Sequence, residues 1–255
     1  MAGFALASAW LGFDNYADDM TVTASASTVR EISSALNEDC SRVSRWMCSN
    51  KLKLNPGKTH LMTVGTGQRL RHLTEKVNVS MDGVELQEDK EGCEFLLGVH
   101  VQSDLKWKKQ VRGLVAKLSK RLTGLFKIKY ATSFKIRKSV AEGVFNSVLV
   151  NCLPLFGGMD LGDLKEIQIM QNKAAQVVTN SPPRAERAPM FDKLEWHSVN
   201  QLIFYHSVLS VFKIRTNQEP EHLASILCKT SRNSRIMIPN FSLSLVCQSL
   251  SVRAV

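Results

Sequence analysis

The sequence predicts an α+β fold: strands mixed with one helix over residues 1–101, then helices alone over residues 102–230. Two periodicities carry this reading. Before residue 101 apolar residues alternate with polar ones around Asp-Gly and Pro-Gly turns, as half-buried strands do. From Lys108 onward they recur every three or four residues, as one face of a helix does. At 255 residues the chain can bury one good core or two smaller ones. Residues 231–255, rich in Ser and Asn at their start, are expected to form a poorly ordered tail.

The apolar stretch through Phe13 predicts a strand that turns at Asp14-Asn15 and continues past Tyr16-Ala17-Asp18-Asp19 into Thr21-Val22-Thr23, a hairpin with acids at its tip. Thr28-Val29-Arg30-Glu31 is a capping box, and Val29, Ile32, Leu36, Val43 and Trp46 set a helical stripe that ends near Asn50. Pro56-Gly57 breaks the chain before a strand at Leu61-Met62-Thr63-Val64, and residues 65–76 read as a polar loop. Val77, Val79 and Met81 lead into the tight turn Asp82-Gly83, with Val84 and Leu86 beyond it. Phe95 to Val101 reads as one mostly buried strand. Val111, Leu114, Leu118, Leu122 and Leu125 then form the stripe of a long helix, and further helices are expected over 135–149, 161–179 and 198–214.

Charge narrows the class of partner. The formal net charge is +10, and between Leu105 and Lys138 there are twelve Lys or Arg and no Asp or Glu. A block of one sign points to phosphate-bearing partners. Lys117, Lys120 and Arg121 are its candidate nucleic-acid contacts. Trp107, Phe126 and Tyr130 are its candidate stacking groups, the first two expected to pack instead. The six cysteines include no C-x-x-C pair and read as free thiols of a reducing compartment, so the expected location is intracellular, nucleus or cytoplasm, and not secreted. No apolar run approaches the ~20 residues of a membrane span, so no membrane partner is expected.

Two adjacent carboxylates at a strand turn form a hard oxygen site suited to Mg2+. Asp18 and Asp19 are therefore the candidate metal ligands. The residues around them resemble, in order, the reverse transcriptases of non-LTR, LINE-type, jockey-like retrotransposons. Tyr16-Ala17-Asp18-Asp19 is similar to the family's palm hairpin, and Lys51-Leu52-Lys53-Leu54-Asn55-Pro56-Gly57-Lys58-Thr59 to its K-L-x-L-N-P-x-K-T. Phe95-Leu96-Leu97-Gly98-Val99 with Leu105-Lys106-Trp107 resembles the approach to the primer grip and thumb. Gln171-Asn172-Lys173-Ala174-Ala175 and Leu194-Glu195-Trp196-His197-Ser198-Val199 resemble the helical region after the thumb.

The resemblance implies a partial polymerase palm followed by a helical thumb and post-thumb region, with an RNA template and a DNA primer as partners. It gives Asp18 and Asp19 the Mg2+ ions and Lys58 the departing pyrophosphate. Tyr16, Lys117, Lys120 and Arg121 become substrate contacts, and residues 95–101 support for the primer end. It also places a further carboxylate strand and the fingers ahead of Tyr16, so polymerisation by this chain alone is not expected, and both ends read as truncations. Gln110 stands where the family usually has His. Two alternatives stay open: a non-catalytic basic nucleic-acid-binding module, and a genomic remnant under no selection.

Overall fold

The computed structural model describes residues 10–16, 19–53, 55, 58–88, 91–216, 228–229, 236–237 and 247–253. The fold is α+β. Its strands are β1 (Trp10–Tyr16), β2 (Asp19–Ser25), β3 (His60–Val64), β4 (Ser80–Met81), β5 (Val84–Glu85), β6 (Cys93–Leu96), β7 (Val99–Gln102), β8 (Cys228–Lys229), β9 (Ile236–Met237) and β10 (Cys247–Arg253). Its helices are α1 (Val29–Ser49), α2 (Gly67–His72), α3 (Lys108–Ile128), α4 (Phe134–Ala141), α5 (Ser147–Val150), α6 (Leu161–Thr179), α7 (Arg187–Leu194) and α8 (Val199–Arg215). Two compact units emerge, Met1–Lys106 with Phe241–Val255, and Trp107–Asn240. The division thus falls five residues beyond the expected boundary at residue 101.

The first unit is a four-stranded sheet of order β1-β2-β10-β3 with α1 on one face. β1 and β2 pair antiparallel from Trp10↔Ser25 to Tyr16↔Asp19, so Asp14 and Asn15 lie inside β1 opposite Thr21 and Met20. Asp14 and Asn15, expected to turn, are strand residues instead. Within β2, Val22 and Ala24 are buried while Asp19, Thr21 and Thr23 are partly exposed, because a strand sends alternate side chains to opposite faces. Val22 and Ala24 pack in one core with Ile32, Leu36, Cys40, Val43 and Met47 of α1. Residues 231–255, expected as a loose tail, contribute β10 to the middle of this sheet.

Helix α1 starts where the sequence signals it. The Thr28 hydroxyl accepts from the Glu31 amide at 3.3 Å, and the Thr28 amide donates back to Glu31 Oε2 at 3.1 Å. Trp46 departs from the expected stripe and is exposed, because Val43 and Met47, four apart, already fill the buried row. Residues 65–76 are not all loop: Thr66 caps α2 by accepting from the Arg69 amide.

Two tight hairpins follow. Asp82 and Gly83, at φ 50° and 79°, join β4 to β5, and Leu97 and Gly98, at φ 46° and 88°, join β6 to β7. Residues 95–101 are thus a hairpin and not one buried strand, with Phe95 and Leu97 exposed.

The second unit is built on α3 and α6. Val111, Leu114, Leu118, Leu122 and Leu125 are all buried, against Ile167, Ala174, Ala175 and Val178 of α6 among others. Each such side chain contributes about 1.5–3 kcal/mol on leaving water. The helix expected over 135–149 is interrupted: residues Glu142–Asn146 form a π-helical turn between α4 and α5, and a 3-10 helix follows at Leu153–Gly158. Helix α7 is an addition to the sequence reading. It ends at Glu195 in the left-handed conformation (φ 56°), and Ser198 then opens α8 with a second capping box.

Candidate functional site

The carboxylate hairpin lies in the first unit. Asp18 falls outside the described residues, and so does the Asp18 half of the expected metal pair. Asp19 opens β2, half-buried, directly across from the exposed Tyr16. Asp19 and Thr21 share the face away from α1, since Val22 and Ala24 take the other face.

Asp19 pairs with Arg253, Thr21 with Ser251, and Ser251 with His60. The β3–β10 pairing ends at His60, so Lys58 lies outside it and the register does not bring it against Asp19. Lys58 is exposed on a 3-10 turn, its amide donating to the Asn55 carbonyl at 3.0 Å. The buried Thr59 hydroxyl donates to the same carbonyl at 3.1 Å, which fixes the turn.

A metal needs more donors than this row supplies. Among the described residues no three of His, Cys, Asp and Glu converge as a metal site requires, so the described part of the row does not complete one.

The basic segment is described throughout, and its charges divide into two kinds. Lys108, Arg112, Lys117, Lys120, Arg121 and Lys127 are exposed on α3, and none of them pairs with a described carboxylate. At 100° per residue Lys120 and Lys127 stand opposite the row of Leu118 and Leu125, with Arg112 and Lys117 to either side. Phe126, expected to pack, is exposed beside this face, because the buried row already closes with Leu122 and Leu125. Tyr130 is 85% exposed, with Lys129 Nζ 5.2 Å from its ring centre. Trp107 packs against the core as expected.

Arg137 and Lys138 belong to the other kind. Arg137 is buried, and its guanidinium donates to the carbonyls of Val178 (3.0 Å), Lys129 (2.9 Å) and Thr132. Lys138 Nζ lies 2.8 Å from Glu195 Oε2. That hydrogen bond, ahead of the charge attraction, holds the Glu195 carboxyl below its ordinary range and the Lys138 ammonium above its own. Neither side chain is a spare phosphate ligand.

No family model, curated protein or solved structure matches the chain.

Segments 171–175 and 194–199 meet in space. Gln171, fully buried on α6, donates through Nε2 to the His197 carbonyl at 2.8 Å. Gln168 accepts through Oε1 from the Val199 amide at 2.9 Å. Its Nε2 donates to Gln171 Oε1 and Asn172 Oδ1, each at 3.0 Å. Trp196 is buried between these elements, its indole N–H directed to Glu142 Oε1 at 3.3 Å. The network borders a cleft of about 740 Å³ between α6, α7 and the start of α8. Sequence reasoning assigned no chemistry to these residues. The signal was present as amides three and four apart, Gln168, Gln171 and Asn172, on one helix face.

Among the described residues no helix is long and apolar enough to cross a membrane, and Cys40, Cys48 and Cys152 are free thiols.

Proposed function

We propose that the chain is part of an RNA-directed DNA polymerase of the non-LTR retrotransposon type. In this reading its first unit brings the carboxylate hairpin and its second unit a grip on the template-primer duplex. The observation that supports the reading is the register of the β1–β2 hairpin, which sets Asp19 directly across from the exposed Tyr16. Asp18 and Asp19 would hold Mg2+ beside the primer end. Lys58, exposed on its turn, would meet the leaving pyrophosphate and offset its negative charge.

Mn2+ titration of the full chain tests the carboxylate assignment, because a bound paramagnetic ion broadens nearby amide signals. Broadening centred on residues 16–21 and abolished in Asp18→Asn/Asp19→Asn is the expected result. Broadening centred elsewhere, or unchanged in the double variant, would remove the hairpin from the proposal.

The exposed cations of α3, which pair with no described carboxylate, favour a second reading: a non-catalytic module that binds nucleic acid by releasing counterions. It shares the α3 surface with the first reading and differs in requiring nothing of Asp18, Asp19 or Lys58.

A further inference from the structure

The cleft between α6, α7 and α8 has the dimensions and the wall chemistry of a small-ligand site. Its volume of about 740 Å³ lies within the range of pockets that enclose one nucleotide-sized molecule. On its polar wall, Asn172 is only 8% exposed. The Asn172 oxygen accepts from Gln168 Nε2 at 3.0 Å, while its Nδ2 makes no hydrogen bond among the described residues. That Nδ2 is not a buried unsatisfied atom, so it keeps access to the cleft and can donate to a ligand there. The amide is also held still: Gln168 and Gln171 are tied to the backbone of Val199 and His197.

The other walls select the ligand. Phe191 is half-buried and stands edge-on to Trp196, with ring centres 6.5 Å apart and planes at 88°, which gives the cleft an aromatic side. Arg187 is exposed on its rim and pairs with no described carboxylate. Glu195, which also lines the cleft, is neutralised by Lys138, leaving Asp192 as the opposing charge. A fixed carboxamide, an aromatic wall and a guanidinium together fit a planar ring that carries hydrogen-bonding edge atoms and a phosphate. Carboxamides read base edges, aromatic groups stack on base faces, and Arg takes phosphate oxygens.

We propose that this cleft receives one unstacked nucleobase of an RNA or DNA strand, with Asn172 on the base edge, Phe191 on its face and Arg187 on the adjoining phosphate. The inference rests on the reading of the chain as a nucleic-acid-binding protein, but it concerns a site separate from the charged face of α3.

The probes are AMP, GMP, CMP and UMP, titrated into the isotope-labelled full chain, with ribose 5-phosphate as the control that has no base. At least one mononucleotide should shift the Asn172 side-chain amide and the Trp196 indole N–H saturably, and ribose 5-phosphate should not. Asn172→Leu should weaken that mononucleotide about tenfold, the scale of a single base-edge hydrogen-bonding pair. Arg187→Ala, an exposed substitution that leaves the fold intact, should weaken the mononucleotide and leave the matching nucleoside unaffected. Ribose 5-phosphate binding as well as AMP, or shifts that persist in both variants, would overturn the proposal. A chain that binds oligonucleotides through α3 while no mononucleotide enters the cleft overturns the cleft alone. A cleft that fills with AMP in a chain whose oligonucleotide binding ignores α3 overturns the α3 reading alone.

Discussion

Arg137 Nε donates to the Val178 carbonyl at 3.0 Å, tying α4 to the last turn of α6. The same guanidinium reaches the carbonyls of Lys129 and Thr132 just beyond α3, so one side chain satisfies acceptors at two helix ends. Hydrogen bonds to a charged donor are stronger than neutral ones, and removing this donor leaves three carbonyls to find other partners. Arg137→Met is expected to lower the stability of the second unit by about 2–4 kcal/mol in urea unfolding. A loss under about 0.5 kcal/mol, the level of an ordinary surface substitution, would remove the clamp role.

The α3 cations predict a different outcome. Replacing Lys117, Lys120 and Arg121 together with Ala should weaken single-stranded oligonucleotides of every sequence about equally. It should also flatten the dependence of log affinity on log salt by roughly 0.7 for each phosphate no longer neutralised. Since all three are exposed, stability should change by less than about 0.5 kcal/mol each. A pronounced preference for one sequence, or a slope the triple variant leaves intact, would place the affinity elsewhere.

Primer extension bears on the catalytic reading. With Mg2+ or Mn2+, the purified chain is expected to incorporate no nucleotide, because among the described residues no three of His, Cys, Asp and Glu converge as a metal site requires. Templated incorporation that disappears in Asp18→Ala would show instead that this chain holds a working site.

Burial in the first core, followed by the charge of neighbouring Asp39, pushes the Cys40 thiol up to about 12. Iodoacetamide at pH 8 should therefore modify the exposed Cys48 and spare Cys40 until denaturant is added, as peptide mass mapping would read. The raised value also sets a sign. The unfolded thiol ionises near 9.0 and the folded one does not, so this group's contribution is whole below that pH and is lost as pH rises toward about 12. Cys40→Ala should shallow the alkaline fall in stability, and an unchanged alkaline limb would refute the linkage.

How far the sequence discloses the fold depends on whether local chemistry and tertiary packing agree. At Asp82-Gly83 they agree: both residues tolerate positive φ, and the hairpin is read directly. At Leu97-Gly98 they do not. Leu is a poor candidate for φ 46°, so an apolar run reads as one strand where the chain folds back on itself. The long stripe of α3 is legible because five buried leucines and valines share one period, and the capping box at Thr28 because it needs only local residues. β10 is not legible, since its place beside β2 is set by partners about 230 residues away, which no local window contains. The candidate site divides in the same way. The basic face of α3 shows in the charge run, whereas the internal tasks of Arg137 and Lys138 depend on Val178 and Glu195, forty and more residues distant.

Arg137, Ala141, Phe145 and Leu149 are all buried, each four residues after the last. Four residues of α-helix turn through about 400°, so a strict four-residue spacing slips about 40° around the axis at every step. Carried from Arg137 to Leu149 the slip would total about 120°, enough to rotate one end of the row out of the core. The π-helical turn at Glu142–Asn146 takes up one additional residue and so works as a phase corrector, returning Leu149 to the side that Arg137 and Ala141 occupy. The additional residue is therefore one this stretch can lose without losing its phase. Deleting Gly143, whose position is open on the side a Cβ would take, would let the turn close as ordinary α-helix, with Phe145 seven and Leu149 eleven residues after Arg137 and both within about 20° of its row.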